Sequence, residues 1–265
     1  MLRLTRFTAV PLGLLLFLGS THTTEAALAR VPVLVELFTS EGCSSCPPAD
    51  ELLARLMAQQ PVDGAEVIGL SEHVDYWNRL GWTDPYSSPG ATARQREYVD
   101  AFDLDSAYTP QMVVAGRWQF TGSRGREAFE AVARAAREPQ GRIALEWRSD
   151  GPPPRLEVRV DALPETSPGD VADVLVAVSE SDLVSSVDSG ENAGSELRHT
   201  GVVRDMRRLG SVKGRSFRGE ISLELAPSWR RPHLRAVVFV QERSSRRVLG
   251  AGAVALPAAR RDPGT

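Results

Sequence analysis

Cysteine is almost missing: the 265-residue chain has two, Cys43 and Cys46, which excludes a disulfide framework and a four-cysteine zinc site. Basic excess is missing too. With 31 Lys and Arg against 34 Asp and Glu, the formal net charge is -3, and no basic stripe marks a nucleic-acid surface. Long apolar runs are absent; the longest, Leu12 to Leu18, falls well short of the about 20 residues that span a bilayer, so no membrane anchor is expected. There is no phosphate-cradling glycine loop, no HExxH and no GxSxG. No cofactor is expected, and any chemistry must come from few residues.

What is present begins with an export signal. Arg3 and Arg6, the run Leu12–Leu18 and Ala27-Leu28-Ala29 have the form of a secretory signal peptide over residues 1–29. The mature chain then starts near Arg30, and the protein is expected to be periplasmic or secreted.

Residues 30–139 alternate strand and helix signals. "VPVLVELF" (31–38) reads as a strand covered on both faces. Helical spacing follows from Pro47, with prolines tolerated in the first turn. "AEVIGLSEHV" (65–74) is a second strand, Ser88-Pro89 opens a second helix, "QMVVAG" and "RWQFTG" form a hairpin at 111–122, and 126–137 is a third helix. Over residues 140–257 the texture shifts to alternating strands, read as an antiparallel β-sandwich domain, with residues 181–200 as its longest loop and residues 258–265 as a tail.

Cys43 and Cys46 sit at the start of the first helix. In an oxidising compartment they are able to pair. As a passive staple the pair closes a tiny loop, which contributes least. As a redox pair the position has a purpose, because a helix N-terminus stabilises a thiolate. Cys43 would attack and Cys46 would resolve the mixed disulfide. A thiol–metal role stays open.

The strand–CxxC–helix opening and "YTPQ" (108–111) resemble the thioredoxin fold. That resemblance implies a cis Thr109–Pro110 bond facing the cysteines and, through "VLVELF", a proton-accepting role for Glu36. More closely, "ELFTSEGCSSCPPAD", "SEHVDYWNRLGWTDPYSSP", "ARQREY", "YTPQMVV" and "ENAGSELRH" resemble a bacterial exported family catalogued as domain of unknown function 1223. The fold class expected is therefore an α/β thioredoxin-like domain followed by an antiparallel β-sandwich. Gly42 and Ser44-Ser45 depart from thioredoxin, where tryptophan and Gly-Pro stand, so no redox potential carries over.

Thr109, Pro110 and Trp77 are expected to meet substrate. His73 is the candidate that would join Cys43 and Cys46 as a soft-metal ligand set for copper or zinc, with His199 as a fourth ligand only if the second half folds back on the first. The expected function is exported thiol–disulfide oxidoreductase; the alternative is a non-catalytic thiol or metal binding or delivery protein. Protein or small-molecule thiols and disulfides are the expected partners, and whether turnover occurs is left open.

Overall fold

The computed structural model describes residues 30–149 and 153–257. The signal-like segment, the tail from residue 258 and residues 150–152 of the "DGPPP" turn lie outside the described residues. The first half runs β1 (Val31–Thr39), α1 (Pro47–Gln59), β2 (Ala65–His73), α2 (Pro89–Ala101), β3 (Gln111–Val114), β4 (Trp118–Thr121) and α3 (Gly125–Ala135). The second half runs β5 (Arg142–Ser149), β6 (Arg155–Asp161), β7 (Ala172–Glu180), β8 (Leu183–Ser186), β9 (Glu196–His199), β10 (Val202–Ser211), β11 (Phe217–Ser222), β12 (Leu234–Glu242) and β13 (Val248–Ala255).

Local chemistry explains the first half. Side chains of β1 alternate faces: Val33, Val35 and Leu37 pack with Leu52, Leu53 and Leu56 of α1 and Val132 of α3, while Leu34 and Phe38 point the other way. Burying a leucine of this size is worth about 1.5–3 kcal/mol, so the apolar stripe of α1 suffices to dock it. That helix stops where Gln60 turns left-handed at φ 48°. The helix α2 starts at Ser88, whose Oγ accepts the Ala91 amide at 3.1 Å, a normal N-cap.

The fold-class expectation is overturned. Strands dominate, only three α-helices occur among the described residues, and the two halves share their main sheet. A single mixed sheet of eight strands runs in the order β13-β12-β7-β10-β2-β1-β3-β4. The join is a short parallel contact, Val202 opposite Ser71, reinforced by the Ser71 amide donating to Gly201 O at 2.8 Å. Pairing β2 with β10 leaves β2 no free edge, which is the physical gain of continuity. Gly201 is required at the crossing: its φ is +65°, and a Cβ there would meet Gly69 O at 2.8 Å.

The sheet also folds over on itself. Leu34, Ile68 and Leu70 of the first half share one core cluster with Ala177, Val237, Phe239 and Ala251 of the second. A three-stranded sheet, β11-β6-β5, covers the opposite face of β7 and β12 through Leu156, Val158 and Val160. The stretch 181–200, expected as a loop, instead contains the hairpin β8-β9, and β9 packs on α1. That placement carries residues from the second half to the cysteines.

Candidate functional site

Beyond Thr39 the chain turns tightly. Gly42 N donates to Ser40 Oγ at 3.1 Å, Cys43 N to Ser40 O at 3.2 Å and Cys46 N to Cys43 O at 3.1 Å. Cys43 and Cys46 form a disulfide with their Cα atoms 5.4 Å apart, and Cys46 is the N-cap residue of α1. Pro47 and Pro48 follow, so the first two helical positions present no N–H. Any thiolate here leans on the helix dipole rather than on those amides. Both cysteines are fully buried, whereas Ser44 and Ser45 between them are exposed.

Three of the expected residues gather beside the pair. A Cβ on Gly42 would come within 3.1 Å of Trp77 Cβ, which accounts for glycine at that position. Trp77 Nε1 donates to Thr109 Oγ1 at 2.8 Å. The Thr109–Pro110 bond is cis, as the resemblance implied, and a Cβ on Gly122 would touch both Pro110 Cβ at 3.2 Å and Ala49 Cβ at 3.1 Å. Pro110 thus lies against the first turn of α1.

A fourth wall comes from the second half, and the sequence reading missed it. Ser44 donates to Glu191 Oε2 through its amide at 3.0 Å and its hydroxyl at 2.7 Å, holding the Glu191 carboxyl below the usual range. Asn192 Nδ2 donates to Glu41 O at 2.8 Å and Cys43 O at 3.0 Å, and Ser189 Oγ donates to Gly81 O at 2.6 Å. Residues 189–192 therefore close over the disulfide. The Ser-Gly-Asn-rich composition marked this stretch as irregular without saying what it touches.

The structure sends Glu36 elsewhere. An even position on β1, it faces away from α1, where Arg94 Nε donates to it at 2.5 Å and to Glu72 at 3.2 Å. The Tyr98 hydroxyl also donates to Glu36, while Gln241 Nε2 donates to that hydroxyl at 2.8 Å. Burial pushes the Glu36 pKa up, but Arg94 outweighs it and holds the carboxyl below its usual value; Glu72, burdened by burial and by the Glu36 charge, is pushed well up. Glu36 is thus an ion-pair partner across the sheet from the cysteine helix.

His73 lies on the α1 side of β2, and the second half does fold back: the His73 and His199 rings meet with centroids 4.8 Å apart. His73 Nδ1 pairs with Asp84 Oδ2 at 2.7 Å, His199 Nε2 with Glu41 Oε1 at 2.9 Å, and Trp82 Nε1 donates to Glu41 Oε2 at 2.8 Å. Asp50, one turn below Cys46, accepts from Thr39 Oγ1 at 3.2 Å. Burial, with some help from Asp84 and Glu41 and against the pull of His199, raises the Asp50 pKa to about 7. Burial pushes Asp84 up as well, but His73 and the amides of Glu41 and Tyr86 hold it low. With both sulfurs in the disulfide, the expected Cys43–Cys46–His73 ligand set is not assembled.

A family model described as "Protein of unknown function (DUF1223)" matches residues 34–241. No curated protein matches the chain. The chain is similar to a crystal structure of protein AGR_C_4864 from Agrobacterium tumefaciens at 27% identity and a TM-score of 0.70, over 89% of this chain and 99% of that one. HBP35 of Porphyromonas gingivalis is similar at 13% identity and a TM-score of 0.60, over 89% of this chain and 80% of that one, a likeness of fold alone.

Proposed function

Because the chain belongs to the DUF1223 family, whose function is unknown, we propose from its own residues that it is a thiol–disulfide oxidoreductase working through Cys43 and Cys46. The observation that carries this reading is the Cys43–Cys46 disulfide at the N-cap of α1. A disulfide closing so short a loop contributes little to stability, whereas a helix N-terminus favours the thiolate that exchange requires. Trp77, Thr109 and Pro110 form the wall along which a substrate segment lies.

In the reducing direction the Cys43 thiolate attacks one sulfur of a substrate disulfide. A Cys43–substrate S–S bond forms, and the other substrate sulfur leaves as a thiolate. The Cys46 thiolate then attacks Cys43 Sγ and expels the remaining substrate sulfur. Substrate gains two electrons, the pair loses two, and the reverse sequence oxidises a dithiol. Entry to Cys43 requires residues 189–192 to lift, since the Asn192 and Glu191 contacts cover it. The expected signal segment puts this chemistry in an exported protein, where the pair meets oxidising surroundings.

Trapping tests the assignment. Reduced Cys46→Ser protein, incubated with oxidised glutathione, should accumulate a mixed disulfide at Cys43 visible by mass spectrometry, and Cys43→Ser should accumulate far less. Equal, negligible adducts in both variants would remove the proposal.

A further inference from the structure

Five buried side-chain atoms among the described residues lack a hydrogen-bond partner, and four of them, Asp50 Oδ1, Ser71 Oγ, His73 Nε2 and His199 Nδ1, belong to side chains on the α1 side of β1 and β2. An unpaired buried polar atom costs about 1–3 kcal/mol, and native structures keep few of them. Two histidines from β2 and β9 have met here with their rings in contact. Each ring has one nitrogen tied to a carboxylate and the other bare. That is the arrangement of metal-ligating histidines, in which the carboxylate bond fixes the tautomer and leaves the opposite nitrogen's lone pair free.

Charge points the same way. Asp50, Asp84 and Glu41 crowd this buried spot; among the ion pairs of the described residues Asp84 pairs only with His73 and Glu41 only with His199, and Asp50 is in none of them. No lysine or arginine pairs with these three carboxylates among the ion pairs of the described residues.

We infer that His73 Nε2, His199 Nδ1 and Asp50 form a buried site for a divalent transition ion of the zinc class, independent of the cysteine sulfurs. Two imidazoles and a carboxylate suit such an ion, with Asp84 and Glu41 as the outer carboxylates that orient the rings. As they stand, no three donors among the described residues converge at ligand distance. Occupancy therefore draws Asp50 off its long bond to Thr39 and turns the two rings toward a shared point. The proposal does not depend on thiol exchange.

The test uses the full exported chain, oxidised and stripped with chelator, and titrated with zinc(II) and cobalt(II). One equivalent should bind, raise the melting temperature, and give cobalt d–d bands without thiolate-to-cobalt charge transfer. The Cys43→Ser/Cys46→Ser double variant should keep this binding. His199→Gln and His73→Gln should each weaken it at least about 100-fold, beyond the 10–100-fold typical of outer-shell losses, and lose the zinc-induced rise in melting temperature; Asp50→Asn should weaken it too. Wild type that takes up no metal, binding that survives both histidine variants, or binding that vanishes with the cysteines would each overturn the inference. If one histidine variant does not fold, the other and Asp50→Asn carry the test.

Discussion

Two buried polar clusters sit on opposite faces of the same two strands, within one residue of each other along β2, and they are built by different rules. On one face Glu72 and Glu36 meet Arg94, and Tyr98 and Gln241 complete the set; none of these five residues has an unpaired buried atom. On the other face His73, His199 and Asp50 share a space with Asp84 and Glu41, and three of those side chains keep an atom without a partner. A satisfied network with its own cation serves the fold. One left short of partners and short of positive charge is poised to receive something, and it lies directly beneath the cysteine helix.

Breaking the satisfied network should have the largest effect. Arg94→Met strands two carboxylates and should cost about 3–5 kcal/mol in urea unfolding, whereas His199→Gln, which removes one carboxylate contact, should cost about 1 kcal/mol. Equal losses would erase the distinction.

The pH dependence sharpens it. Glu36 has a folded pKa below the ordinary 4.5, so its stabilisation is present above the unfolded value and lost as pH falls through the folded one. Asp50 runs the other way: raised from 3.8 to about 7, it penalises the metal-free fold progressively as pH climbs from 3.8 to 7. Asp50→Asn should therefore stabilise metal-free protein by about 2–4 kcal/mol at pH 8 and by little at pH 4. A gain that is the same at both pH values would contradict this.

A smaller effect belongs to the cover. Asn192→Ala removes the two hydrogen bonds that hold residues 189–192 over Cys43, and dithiothreitol should reduce the disulfide about tenfold faster, as loss of about 1.4 kcal/mol implies. An unchanged rate would mean that this segment does not control access. On thiol exchange the smallest effect of all belongs to Glu36→Gln, which breaks the buried pair with Arg94 and should lower stability while leaving exchange and its pH profile unchanged, because the side chain faces away from α1.

The order of elements up to α3 was readable because each carries its own signal: unbroken apolar runs, prolines at helix starts, a hairpin turn. The shared sheet was readable in principle. "VLVAV" in β7 and "AVVFV" in β12 are continuous rather than alternating, and both strands are indeed buried on both faces, unlike β6, whose burial alternates. Continuous runs mean two covered faces, which a simple sandwich with one solvated face does not provide. The strand β10 gave no such signal. "VVRDMRRLGS" looks solvent-facing, yet Arg204 stacks over Tyr86 and Trp229 at 5.3 and 5.5 Å. That Cys43, Trp77, Thr109 and Pro110 lie close together was legible because the motifs that carry them pack side by side. Asn192, Glu191 and Asp50 were not, since their roles come from long-range packing that neither periodicity nor spacing encodes.

The most direct test of the proposed chemistry is redox equilibrium. The chain from residue 30 onward, treated with chelator, would be held in a graded series of glutathione buffers, its free thiols alkylated and counted, with Asn192→Ala alongside to ensure access. Thiol–disulfide exchange predicts reversible two-electron cycling with a potential above about -300 mV, where labile pairs lie. A pair that stays fully oxidised across the series in both proteins would make the disulfide a structural one and contradict the account.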